Sequence, residues 1–185
     1  MNLADPSQIR RVVQQIKPKL IINAGAYTSV DKAESDQELA KAVNWIAPKI
    51  LADEAKNNDA LLIHYSTDYS YNGEMSHRPY LESDPPSPNS VYGQTKLQGD
   101  QAIGESGASH LIFRTGWVYS KTGNSFLGTI LKLAKEKNEL RVVNDQTGTP
   151  TWCRSIAEAT CKSIKNLLKK RDGSLSKAVA RISGV

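Results

Sequence analysis

Only two cysteines occur among the 185 residues, Cys153 and Cys161. Two thiols cannot build a disulfide framework, which fits a reducing, cytoplasmic setting. No set of His, Cys, Asp and Glu has metal-ligand spacing, so no catalytic metal is expected. Long apolar runs are missing as well: nothing approaches the roughly 20 residues that cross a bilayer. The N-terminal "MNLADPSQIRR" lacks the apolar centre of a secretory leader. Aromatic residues make up 6% of the chain and do not interleave with the basic stretch "KSIKNLLKKRDGSLSKAVAR". Despite a net charge of +5, that stretch therefore reads as a solvated helix face, and neither nucleic acid nor membrane is an expected partner. A G-x-S-x-G elbow is absent, and His64, His77 and His110 have no nucleophile partner. A serine-hydrolase reading thereby fails, and the histidines read as packing or surface residues. Also missing is any G-x-G-x-x-G turn, the backbone cradle for a dinucleotide's pyrophosphate.

What is present alternates between two periods. "SQIRRVVQQIK" after Pro6 reads as a helix and "KLIINAGA" (19–26) as a short buried strand. "SDQELAKAVNWIAPKILADEAKNN" (35–58) is helical, with Pro48 kinking or dividing it. "ALLIHYSTD" (60–68) is the next strand, followed by a polar, proline-rich loop too long for a plain connector. Then come a helix from about residue 91, a strand at 110–119, a helix at 124–138, a strand at 140–145 and a basic helix around 153–170. Such alternation predicts right-handed βαβ units, hence an α/β, doubly wound, mostly parallel sheet in a single domain.

Sheets of this kind bind ligands beyond the C-terminal ends of their strands. There the sequence places 24–28, Ser66-Thr67-Asp68 and Gly116-Trp117-Val118-Tyr119, with the helix of "PNSVYGQTKLQGDQAI" starting beside the same edge. Tyr92 and Lys96 are one helical turn apart on that helix and share a face. The pair reads either as two surface residues or as a phenol kept acidic by a neighbouring ammonium.

"NAGAYTSVDKAE", "HYSTDYSYNG", "PNSVYGQTKLQGD", "FRTGWVY" and "NDQTGTPT" resemble, in order and spacing, the signatures of the dTDP-4-dehydrorhamnose reductase family, within the extended short-chain dehydrogenase/reductases. The resemblance implies a Rossmann-like fold and reduction of a nucleotide-sugar C4 ketone, that of dTDP-4-dehydro-6-deoxy-L-mannose, by NADPH or NADH. Tyr92 then corresponds to the proton donor. Lys96 corresponds to the lysine that holds the nicotinamide ribose and lowers the phenol's pKa, and Thr67 to the hydroxyl completing the triad. Asp68 and Trp117 match substrate-contacting positions. Ala26, Tyr27, Thr28 and Tyr65 match the cofactor lining, with Asn2 and Leu3 also at the cofactor's end. "NDQTGTPT" resembles a loop that closes over the sugar nucleotide.

The departures are as specific. The chain opens at a segment resembling the family's "D-L/F-x-x-P", with Asn2 where an aspartate is usual, so the first βα units with the Gly-rich turn are expected to be absent. Residues 1–170 read as a partial NAD(P)-binding domain, and 171–185 as a tail where a substrate-binding portion would begin. Ser70-Tyr71 replace the usual Val-Phe. Three functional readings follow: a reductase with impaired cofactor binding, a non-catalytic remnant or binding subunit, and a sugar-nucleotide epimerase or dehydratase. A homo-oligomer or a complementing chain is the protein partner that the missing units suggest.

Overall fold

Residues 1–75, 78–123, 125–169 and 179–183 are described by a computed structural model. His77 lies outside them. The first helix, α1 (Pro6–Ile16), begins where the Asp5 carboxylate accepts from the backbone N–H groups of Ser7 and Gln8 at 2.9 and 3.0 Å. Pro6 sits in the first turn, where a missing N–H costs nothing. Ile9 and Val13 share one face and are buried. Lys17, in the left-handed region at φ 48°, ends the helix by donating to the Val13 carbonyl.

Four strands make the main sheet. β1 (Leu20–Asn23) pairs with β2 (Leu61–Thr67), β2 with β3 (Ser109–Thr115), and β3 with a strand at Val179–Ser183. All three pairings are parallel, as the alternating pattern predicts. The last strand falls within 171–185, so the sheet takes up part of the segment expected to be a tail. β2 is buried along nearly its whole length, because both of its faces are covered. On one face Leu62 and Ile112 pack with Ile9, Ile50, Leu51 and Ile103 of the helices; on the other Leu61, Ile63, Leu111 and Phe113 meet Ile164 and Leu167.

The long helix expected over 35–58 is three pieces. After α2 (Val30–Ala33) come α3 (Gln37–Lys41), a wide π turn over Ala42–Ile46, and α4 (Ala47–Asn57) with Pro48 in its first turn. Lacking an N–H, Pro48 cannot bond the carbonyl of Asn44 four residues back, and the preceding turn widens instead. That carbonyl lies against Gly99 of α5 (Val91–Glu105), where any Cβ would overlap it. The glycine lets α5 settle onto the turn.

Two expected strands are corrected. The run 110–119 breaks at Trp117, whose φ of 44° is left-handed, so β3 stops at Thr115. β4 (Val118–Tyr119) instead joins β5 (Thr151–Trp152) in a separate two-stranded sheet. Residues 140–145 form no strand: Val142 and Val143 are both exposed, and among the described residues no neighbouring strand pairs with them. α6 (Phe126–Glu136) starts at the Ser125 cap, and α7 (Cys153–Lys169) matches the basic helix. Among the described residues no helix is long and apolar enough to cross a membrane.

Candidate active site

The parallel register places the C-terminal ends of β2 and β3 side by side, with Thr67 opposite Thr115. Immediately after β2 the chain turns through a short 3-10 helix, Asp68–Ser70, capped by the Thr67 hydroxyl, which accepts from Tyr69 N–H at 3.2 Å. This turn meets the N-terminus of α5. The rings of Tyr69 and Tyr92 stand edge to face, with centroids 5.6 Å apart. Ser90 caps α5 by accepting from Gly93 N–H, which fixes the first turn that carries Tyr92.

Thr67, Asp68 and Tyr92 therefore share one edge. Thr67 Oγ1 donates to Asp68 Oδ1 at 3.3 Å. Burial raises the Asp68 pKa above the usual carboxylate value, partly offset by the Thr67 hydrogen bond. The carboxylate has its room because residue 116 is glycine: a Cβ there would overlap Asp68 Oδ2. Burial also pushes the Tyr92 phenol above its ordinary value, while the Thr67 hydroxyl pulls it back and the Asp68, Tyr69 and Asp100 charges push it up. The phenol is thus held protonated at neutral pH.

Lys96, one turn on, is 1% exposed. Its ammonium donates to the Tyr65 carbonyl at 2.6 Å and approaches His64 Nε2 at 3.3 Å. Burial lowers its pKa to about 8, against an opposing pull from Asp100. Lys96, expected to lower the Tyr92 pKa, is not among the groups that act on the phenol in this structure. The ammonium is engaged with β2, and the groups that act on the phenol are Thr67, Asp68, Tyr69 and Asp100.

The other expected positions divide. The loop after β1 is clamped by Asn44: its side-chain oxygen accepts from Tyr27 N–H at 2.9 Å, and its amide nitrogen donates to the Tyr27 carbonyl at 3.0 Å. Ala26 and Tyr27 are half-buried on that loop and Thr28 is exposed. Tyr27's phenol donates to Asp36. Leu3 lies against Gly25, which brings it under the same loop, whereas Asn2 is exposed and accepts from Ala4 N–H. Tyr65 turns its ring away from Tyr92, to Phe113 and the Thr160 hydroxyl of α7; only its backbone reaches Lys96. Trp117 is 41% exposed, and its indole rests on Gly148 of the "NDQTGTPT" loop, tied in turn by Thr151 N–H to the Trp117 carbonyl.

Sequence reasoning missed the layer beneath these residues. His64, read as a packing histidine, is fully buried between Asn23 and Lys96. Asp100 accepts from Ser66 Oγ at 2.8 Å and from Arg114 Nε at 3.3 Å. The signals were present: Asp100 follows Lys96 at i+4 on one helix face, and His64 and Ser66 share the parity of β2 that faces α5.

A parallel sheet with helices on both faces, carrying a hydroxyl, a phenol and a buried ammonium at its C-terminal edge, has the layout of a short-chain dehydrogenase/reductase. The chain belongs to the RmlD substrate binding domain family, whose model matches residues 1–177. It is 46% identical over 173 residues to the dTDP-4-dehydrorhamnose reductase of Escherichia coli K12, covering 92% of this chain and 57% of that protein. The Burkholderia thailandensis dTDP-4-dehydrorhamnose reductase is 45% identical over 170 residues, with the same two shares covered. Among solved structures, the Bacillus anthracis dTDP-4-dehydrorhamnose reductase in complex with NADP superposes with a TM-score of 0.86 at 35% identity, covering 100% of this chain and 63% of that one. The Thermus thermophilus UDP-glucose 4-epimerase complex with NAD, at 21% identity and a TM-score of 0.72, shares the fold. The chain thus spans somewhat over half the length of the relatives it matches.

Proposed function

We propose that this chain carries the catalytic edge of a dTDP-4-dehydrorhamnose reductase, which reduces the C4 ketone of dTDP-4-dehydro-6-deoxy-L-mannose to dTDP-L-rhamnose. The observation that carries the reading is the convergence of Thr67, Tyr92 and buried Lys96 on one sheet edge. Bound NADPH or NADH supplies the hydride that adds to the sugar's C4. Tyr92, protonated at neutral pH, donates its proton to the oxygen that becomes the alcohol. Thr67 hydrogen-bonds the same oxygen as charge develops on it. Lys96 offers its remaining N–H to a ribose hydroxyl beside Tyr92, and Ala26, Tyr27 and Thr28 form the loop that lines the nucleotide. Asp68 and Trp117 meet the sugar nucleotide, and the exposed free thiols of Cys153 and Cys161 suit a reducing cytoplasm.

The donor chemistry fits a nicotinamide nucleotide at its ribose end, while no residue here supplies a Gly-rich turn for the pyrophosphate. A binding module has no chemical need of a hydroxyl, a phenol and a buried ammonium together, which favours the enzyme over a binding subunit. An NADPH titration followed by thermal stability tests the site: at 100 times its dissociation constant a specific ligand stabilises by about 2.7 kcal/mol. A saturable rise in melting temperature that Lys96→Ala abolishes supports the reading. An equal rise in Lys96→Ala would refute it.

A further inference from the structure

Resting on the reductase reading above, we propose that His64 and Asp100 are positioning residues for Lys96: the imidazole and the Tyr65 carbonyl each hold one ammonium hydrogen, so the third is directed at the Tyr92 face of α5. The distances set the arrangement. Nζ lies 2.6 Å from Tyr65 O and 3.3 Å from His64 Nε2, and the far ring nitrogen, Nδ1, is 3.1 Å from the Asn23 side-chain amide. An ammonium can only donate, so Nε2 must accept from it and the ring proton must sit on Nδ1. The structure places the Asn23 amide nitrogen at Nδ1; exchanging the two amide ends, which are assigned by their partners, puts the oxygen there to accept the ring proton and fix that tautomer.

Asp100 completes the set from α5. Its Oδ2 is tied by Ser66 and Arg114, while Oδ1 has no hydrogen-bond partner among the described residues and lies 3.9 Å from His64 Nε2. A half-free buried carboxylate is a fixed countercharge for an ammonium that burial alone would strip of its proton. The titratable groups around Lys96 are His64 from β2 and Asp100 from α5, with Tyr92 one turn earlier on α5; Arg114 of β3 holds Asp100 from the far side. Burial and the Lys96 charge hold His64 well below its ordinary pKa, so it acts as a neutral acceptor.

NMR on the labelled chain tests this without requiring turnover. Long-range 1H–15N spectra should show His64 as the Nδ1–H form and neutral at pH 6, and Asn23→Leu should release it to the other tautomer. The Lys96 13Cε resonance should titrate near 8, and Asp100→Asn should bring that midpoint down by about one pH unit or more. Where cofactor binds, His64→Leu should lower turnover about tenfold with KM little changed, and His64→Gln, which keeps an acceptor, should recover most of it. An Nε2–H tautomer in the native chain, or an unmoved Lys96 midpoint in folded Asp100→Asn, overturns the proposal. Turnover of the chain joined to a relative's nucleotide-binding segment that Tyr92→Phe leaves unchanged, alongside both NMR results, defeats the reductase reading and leaves this assignment standing.

Discussion

Lys96 is the residue whose environment is most costly, since an ammonium held 1% exposed gives up nearly all its hydration. Its folded pKa of about 8 lies below the 10.5 of an unburied lysine. Between those values the unfolded chain binds more protons than the folded one, so this group makes stability rise as pH climbs from 8 toward 10.5. Urea unfolding of native protein and Lys96→Met, at pH 7.5 and pH 10, should show the native chain gaining of order 1–3 kcal/mol relative to the variant. At the same scale, Thr67→Val removes the hydroxyl that holds the Tyr92 phenol down and would face the ketone oxygen. Turnover should fall roughly 10²–10³-fold, with its alkaline limb displaced upward. The sequence placed Tyr92 and Lys96 one turn apart on a helix start and Thr67 at a strand end, while the roles expected of them came from the family resemblance. His64 was not, since nothing in a single histidine on an apolar strand distinguishes a ligand of lysine from a packed ring. Tyr65's orientation was hidden for a related reason: strand parity sends its ring to Phe113 and Thr160, away from α5.

At the scale of elements, the site depends on how α5 lies against the broken helix of residues 37–57. Gly99 meets the Asn44 carbonyl that the π turn exposes, and Asn44's side chain reaches on to clamp the 24–29 loop. Gly99→Ala should force α5 outward at a cost of about 1–3 kcal/mol in urea unfolding. Asn44→Ala strands two backbone groups of Tyr27 without their partner. It should cost about 2–3 kcal/mol and weaken NADPH binding more than Gly99→Ala does. Pro48 marked this break in the sequence, but not its position: the wide turn comes before the proline, where the missing N–H is felt. The strand expected at 140–145 failed because β-branched composition describes a strand's surface and not its partner. Trp117's left-handed backbone was equally invisible, since such a conformation is set by the packing of its indole on Gly148.

For the whole molecule, the sheet as described begins with β1, which pairs on one side only, and Ile22 on it is 50% exposed. The fold class was readable because alternation of short apolar runs with amphipathic stretches has few topological solutions.

The most direct test of the account is NADPH consumption with dTDP-4-dehydro-6-deoxy-L-mannose, measured on the chain alone and on the chain joined to the nucleotide-binding segment of a relative. The joined protein should turn over, and its Tyr92→Phe form should lose about 10²–10⁴-fold in kcat. A joined protein that binds NADPH and reduces the sugar equally well with Tyr92→Phe would contradict the role assigned to this edge.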